Sequence, residues 1–108
     1  MDDFLLVLCS FSDIAEAKSC AKELVKQNLA GCVNLITGVT SIYQWQGELK
    51  EDSECLLVIK TTHVNYEKVE LFLKTHHSYE IPEIIAVPIV KGSSDYLNWL
   101  GDSVSGVF

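Results

Sequence analysis

The sequence predicts an α+β fold in which strand, helix, two strands, helix and strand follow in order and a short helix closes the chain. Three observations carry this. An apolar run, "FLLVLCSF", leads into a segment with apolar residues at helical spacing. A stretch rich in β-branched and aromatic residues, 32–61, is split by a single Gln-Gly pair. A second helical segment then precedes a short apolar run marked by Pro82 and Pro88.

Residues 4–11 are apolar and bounded by polar residues, as a buried strand is. Ser12 or Asp13 can cap the helix that follows, with Glu16 in its first turn. Ile14, Ala17, Ala21, Leu24 and Val25 form its apolar stripe, opposite Lys18, Lys22 and Lys26. The helix ends near "NLAG", where Gly31 is expected to adopt the left-handed conformation or a turn. Residues 32–45 and 48–61 read as the arms of one long hairpin around Gln46-Gly47. Gly38 interrupts the first arm and predicts a bulge or bend. "HVNYEKVELFLKTHH" is the second helix, with Val69, Phe72, Leu73 and His76 on one face. Residues 84–90 form the next strand, and Pro88 within it argues for an edge or a bulge. "SSDYLNWLGDS" is a serine-capped helix that turns Tyr96, Leu97 and Leu100 inward and Trp99 outward.

This order is the split βαβ, or ferredoxin-like, arrangement in one domain, 1–108. It implies an antiparallel sheet in the order 4-1-3-2 with both main helices on one face. Each hairpin arm would extend roughly 46 Å, whereas a compact chain of this length is roughly 34 Å across. The hairpin therefore overshoots its own domain and exposes Ile42, Tyr43 and Trp45. Such edges need a cover, and an oligomer supplies one.

The bulk composition excludes several function classes. The 108 residues are 48% apolar, which is enough for a core. No apolar run approaches the ~20 residues of a membrane span. The chain carries a net charge of −7 and no arginine, so nucleic acid is not an expected partner. The acidic start "MDDF" reads as a strand rather than a secretory signal, and cysteines 9, 20, 32 and 55 lack zinc-finger spacing. Reduced thiols in a cytoplasmic protein are the expectation, with Cys20 and Cys32 as small buried hydrophobes.

The functional question centres on "KTHHSYEIPEI". His76 and His77 precede the fourth strand, which lies antiparallel to the first, so they lie near Cys9 at its end. A thiolate with two imidazoles suits copper or zinc. Adjacent helical residues point about 100° apart, so both rings can face one ion only where the helix unwinds. The alternative is structural: histidines in a last turn bond the free carbonyls and favour the helix dipole, and Cys9 is simply core.

"SIYQWQGELKEDSECLLVIKTT", "KTHHSYEIPEI" and "DYLNWL" together resemble the CutA family of divalent-cation tolerance proteins, over nearly the whole chain. Ser78 departs from the pattern, in which proline often follows the histidine pair. The resemblance implies a ferredoxin-like protomer, a tight homotrimer with strands paired between subunits, and a link to copper and other divalent ions. It also implies Cys9, His76 and His77 as the metal ligands.

Two other classes compete with metal tolerance. A cysteine-histidine enzyme lacks a third group to orient its base, and the phosphate-binding arginine of acylphosphatases has no counterpart. No enzymatic activity and no organic cofactor are expected. The PII regulators share this architecture, and a trimeric signalling module of that kind would hold a small anion or nucleotide between subunits. Glu54, Lys60, Tyr79 and Glu83 are the polar residues expected in such clefts.

Overall fold

The structure, a computed structural model, describes residues 3–105. Its elements are β1 (Phe4–Phe11), α1 (Ile14–Lys26), β2 (Cys32–Trp45), β3 (Glu48–Thr62), a 3₁₀ turn (His63–Asn65), α2 (Tyr66–His76), β4 (Ile84–Pro88) and α3 (Ser94–Ser105). The four strands form one sheet in the order β2-β3-β1-β4, with every neighbouring pair antiparallel. This is the expected 4-1-3-2 order read from the opposite edge. No helix among the described residues is long and apolar enough to cross a membrane.

Strand alternation sorts the sheet into two faces. Val7, Cys9 and Phe11 of β1 and Leu57 and Ile59 of β3 point to the helices, where they meet Leu24 of α1 and Leu73 of α2 in a fully buried core. The opposite face carries Leu6, Leu8, Leu56 and Val58, all partly exposed. Ile85 and Val87 of β4 share that face by register, opposite Leu8 and Leu6, and are 51% and 41% exposed. Among the described residues this aliphatic sheet face is thus left partly open.

The hairpin follows its sequence signals. Gln46 and Gly47 both have positive φ, 53° and 82°, the two-residue turn that matches strand twist. At Gly38, φ is 76° and the register shifts between Ile36 and Val39. Two β2 residues there oppose one of β3, which is a bulge. The arms make the protomer elongated, 46 × 25 × 23 Å.

Several local expectations are corrected. Asn28, with φ 59°, is the left-handed residue after α1; Gly31 serves close packing instead. A Cβ at position 31 would collide with Leu100 Cδ1 and lie 3.3 Å from Ser103 Cβ. Leu100 is fully buried and has little room to yield. Gly31→Ala is expected to lower stability by about 1–3 kcal/mol, the usual cost of overpacking, visible as a lower melting temperature with an unchanged circular dichroism spectrum. Ile14 and Val25 are exposed, and Cys20 takes their place beside Ala17 and Leu24 on the buried stripe of α1. Cys32 is only partly buried. Tyr96 lies outside with Trp99, their ring centroids 5.6 Å apart, while Leu100 alone of the expected trio is fully buried. β4 stops at Pro88, although the Ile89 N–H still donates to the Phe4 carbonyl at 2.9 Å.

Candidate functional site

The α2 terminus decides how the two histidines point. His76 is the last helical residue; His77 is the cap, already extended at φ −82°, ψ 142°, and its N–H donates to the Leu73 carbonyl at 2.9 Å. The change of backbone conformation between them sends the rings to different surroundings. His76 is exposed, stacked on Phe72 at 4.2 Å, and its Nδ1–H donates to the Phe72 carbonyl at 2.9 Å. That bond fixes the tautomer and leaves Nε2 free to accept a metal or a proton.

His77 has neither nitrogen free. Its Nε2–H donates to the Ser10 carbonyl at 2.7 Å, and its Nδ1 accepts the Tyr79 N–H at 3.0 Å. The ring lies on Phe11, 4.2 Å between centroids, and meets Tyr79 at 4.6 Å. His77 therefore ties the loop after α2 to the end of β1. The structural alternative raised by the sequence, a last-turn histidine bonding a helix carbonyl, describes His76 on the Phe72 carbonyl, whereas His77 bonds β1 instead.

Cys9 sits where the topology expects it, paired with Ile84 at the start of β4 and with Leu57 of β3. Its side chain belongs to the helix-face core and is fully buried. Burial, and then the neighbouring Cys20, Glu83, Glu16 and Glu54, push its thiol from 9.0 up to about 12. At neutral pH it is a thiol, not a thiolate. Among the described residues, no three His, Cys, Asp or Glu side chains converge to hold a metal ion. Cys9, His76 and His77 are neighbours along the fold but do not face one point within one chain.

A second constellation lies where the loop 79–83 crosses the hairpin. It forms a cleft of about 890 Å³ between the end of β1, the middle of the hairpin and this loop. Glu54, Tyr79 and Glu83, expected from the sequence in clefts between subunits, here line this cleft within one chain. Lys60 does not. It lies six positions along β3 from Glu54, roughly 20 Å away at strand spacing, with its Nζ over the Tyr96 ring at 5.7 Å. Tyr79 donates its hydroxyl to Glu54 Oε2 at 2.5 Å. Burial and this bond raise the Tyr79 phenol to about 12. A matching pair, Tyr43 donating to Asp52, stands on the hairpin beside it. The sequence reading missed Tyr43 and Asp52 as a pair. The signal was available: a two-residue turn at 46–47 fixes Tyr43 opposite Lys50, diagonal to Asp52.

The fold and site define a class: a ferredoxin-like chain with an overlong hairpin, a partly open sheet face and one oriented surface histidine. A family model described as "CutA1 divalent ion tolerance protein" matches residues 5–103. The chain belongs to this CutA1 family. It is 43% identical over 103 residues to the divalent-cation tolerance protein CutA of Thermus thermophilus, covering 95% of this chain and 98% of that protein. The solved Thermus thermophilus Cut A1 structure superposes with a TM-score of 0.90 at 44% identity, covering 93% of this chain and 97% of the other. The Escherichia coli CutA protein is 38% identical over 100 residues, 93% of this chain and 89% of its own. A structure from Archaeoglobus fulgidus, described as a periplasmic divalent cation tolerance protein CutA, matches with a TM-score of 0.91 at 30% identity, covering 94% of this chain and 98% of that one. These names describe tolerance of divalent cations and no catalysed reaction.

Proposed function

We propose that this protein acts in divalent-metal tolerance as a non-enzymatic homotrimer that binds copper or another divalent ion through His76, His77 and Cys9. The observation that carries the metal reading is His76. An imidazole held by a carbonyl on Nδ1, stacked on Phe72 and open at Nε2 is the arrangement of a metal-binding histidine with its supporting partner in place. His77 joins only by releasing Ser10 and Tyr79, and Cys9 only on losing a tightly held proton. The set thus engages in sequence, with His76 as the entry point. The homotrimer is supported by the open aliphatic face and by two sheet edges, β2 and β4, left unpaired. The cytoplasm is the proposed compartment, since none of the four cysteines is in a disulfide.

The experiment is titration calorimetry with Cu(II) and Zn(II) on single variants. His76→Ala is expected to weaken binding by about tenfold or more with little change in melting temperature. His77→Ala is expected to lose about 1–3 kcal/mol of stability, because two hydrogen bonds and two ring contacts go together. Equal metal affinity in wild type and His76→Ala would sink the entry role. The other reading, a PII-type module for an anion or nucleotide, meets an electrostatic obstacle. The cleft lining has four carboxyl side chains, Asp52, Glu54, Glu80 and Glu83, and no lysine.

A further inference from the structure

The outer surface of α1 stands apart from the rest of this acidic chain. The net charge is −7, yet three of the eight lysines, Lys18, Lys22 and Lys26, lie on this one helix. At about 100° per residue they share an arc of about 120° with Ile14, Ala15 and Val25, and that arc holds no Asp or Glu. All six side chains are exposed. The two acids of α1 point elsewhere and are engaged. Glu16 accepts from Ser78 Oγ at 3.0 Å, and Glu23 accepts from Gln27 Nε2 at 3.3 Å. The ion pairs among the described residues are Lys50–Glu48 and Lys74–Glu70, so none of the three α1 lysines is neutralised there. Like charges four apart on a helix repel one another, and here that spacing occurs twice in succession. Within the chain the arrangement is unfavourable and nothing offsets it.

A row of unneutralised ammonium groups is complementary to a row of anions. α1 lies on the helix side of the sheet, opposite the aliphatic face proposed for assembly, so the row stays available in a trimer. The lysines step about 6 Å along the helix axis. Alternate side chains of an extended peptide step about 6.6 Å. An extended acidic segment can therefore meet the lysines one for one while following the narrow arc. A flat anionic bilayer would also press against the carboxyl groups of Asp13 and Glu23 beside the arc, and the arc has no aromatic side chain to insert. A long nucleic acid would meet the strongly acidic field of the remaining chain. We propose that the outer face of α1 docks an acidic segment of a partner protein. The segment binds extended, with Asp or Glu at alternate positions opposite Lys18, Lys22 and Lys26, and its other side chains rest on Ile14 and Val25.

The test is fluorescence anisotropy of a dye-labelled peptide in which glutamate alternates with threonine, titrated with the whole protein. A second peptide carries glutamine at every glutamate. The glutamate peptide is expected to bind saturably, more weakly as salt rises, and the glutamine peptide not to bind. Replacing Lys18, Lys22 and Lys26 together by glutamine should weaken the glutamate peptide by about tenfold or more, the combined effect of three exposed ion pairs. This variant should melt no lower than wild type, since two like-charge spacings are relieved. A second triple variant, Lys68→Gln, Lys74→Gln and Lys91→Gln, changes the net charge equally and should stay within about twofold of wild type. No saturable binding of the glutamate peptide would overturn the proposal. Equal losses in the two triple variants would too, because the attraction would then belong to the general field. Vesicles of phosphatidylserine and phosphatidylcholine should not sediment the protein. Sedimentation that the α1 triple variant abolishes would overturn the proposal in favour of a lipid surface.

Discussion

Ile85→Asp is expected to turn an assembled protein into a folded monomer. Light scattering on the wild type should give three times the chain mass of 12.0 kDa, unchanged on dilution into the micromolar range. The variant should give a single chain mass. Ile85 lies on the edge strand β4 and is 51% exposed in the isolated protomer. An aspartate there can stay hydrated in the monomer, so the protomer fold survives. In the proposed assembly the same position would join a dry surface, with Leu8 opposite it and Val87 beside it on the same sheet face. An unpaired charge sealed there costs about 3–5 kcal/mol in each chain, which exceeds what most interfaces can absorb. A wild-type monomer, or an Ile85→Asp protein of trimeric mass, would refute assembly through this face.

The reason that this surface was only half legible in the sequence is instructive. The hairpin could be measured by counting: arms of 14 and 15 residues must outrun a compact chain of this size. The Gln46-Gly47 turn and the Gly38 bulge followed from glycine and turn chemistry alone. The open sheet face did not follow. β1, β4 and residues 55–59 of β3 are apolar on both faces, and a continuous apolar run does not say which side the helices cover. Local rules also misassigned Gly31. Glycine after a helix suggests a left-handed cap, but here the deciding neighbour is Leu100, 69 positions away in sequence and visible only once α3 docks. Tyr96 failed for a related reason: its ring has the apolar area of a core residue, yet it finds Lys60 and Trp99 at the surface.

The candidate site shows the same division. Proximity of Cys9 to the histidine pair followed from topology, since the start of β4 must lie beside the end of β1. Orientation did not. Whether His77 faces an ion or a carbonyl depends on one change of ψ between His76 and His77, and His77 becomes a strut because Ser10 O and Tyr79 N–H take its nitrogens. The sequence places Glu54, Lys60, Tyr79 and Glu83 in clefts between subunits; within one chain Glu54, Tyr79 and Glu83 share a cleft, and Lys60 lies apart because strand spacing carries six residues of β3 toward the far end of the sheet.

Raising the pH should reveal the Cys9 proton as a stability term. The folded protein holds that proton to about pH 12, whereas an ordinary thiol releases it near 9.0. A raised pKa in the folded state means that below about pH 9 the contribution is present in full. Above it the unfolded chain ionises first, and stability falls until the folded thiol also ionises near pH 12. A shift of this size corresponds to roughly 4 kcal/mol over the whole window. Cys20 and Cys55 are raised in the same direction, chiefly by burial, so they add to the slope. Cys9→Ala removes the largest share. Urea unfolding in metal-free reducing buffer, from about pH 8 to about pH 11, should show the wild type losing stability more steeply than Cys9→Ala, the curves converging as pH rises. Parallel curves would mean that Cys9 ionises as freely in the fold as outside it. The result bears directly on metal tolerance. A thiol that keeps its proton through the neutral range cannot offer a thiolate to copper there without a metal strong enough to displace the proton. Cys9→Ala should therefore leave Zn(II) affinity near neutral pH close to wild type, while His76→Ala does not, and the gap between these variants should narrow as alkali frees the thiol.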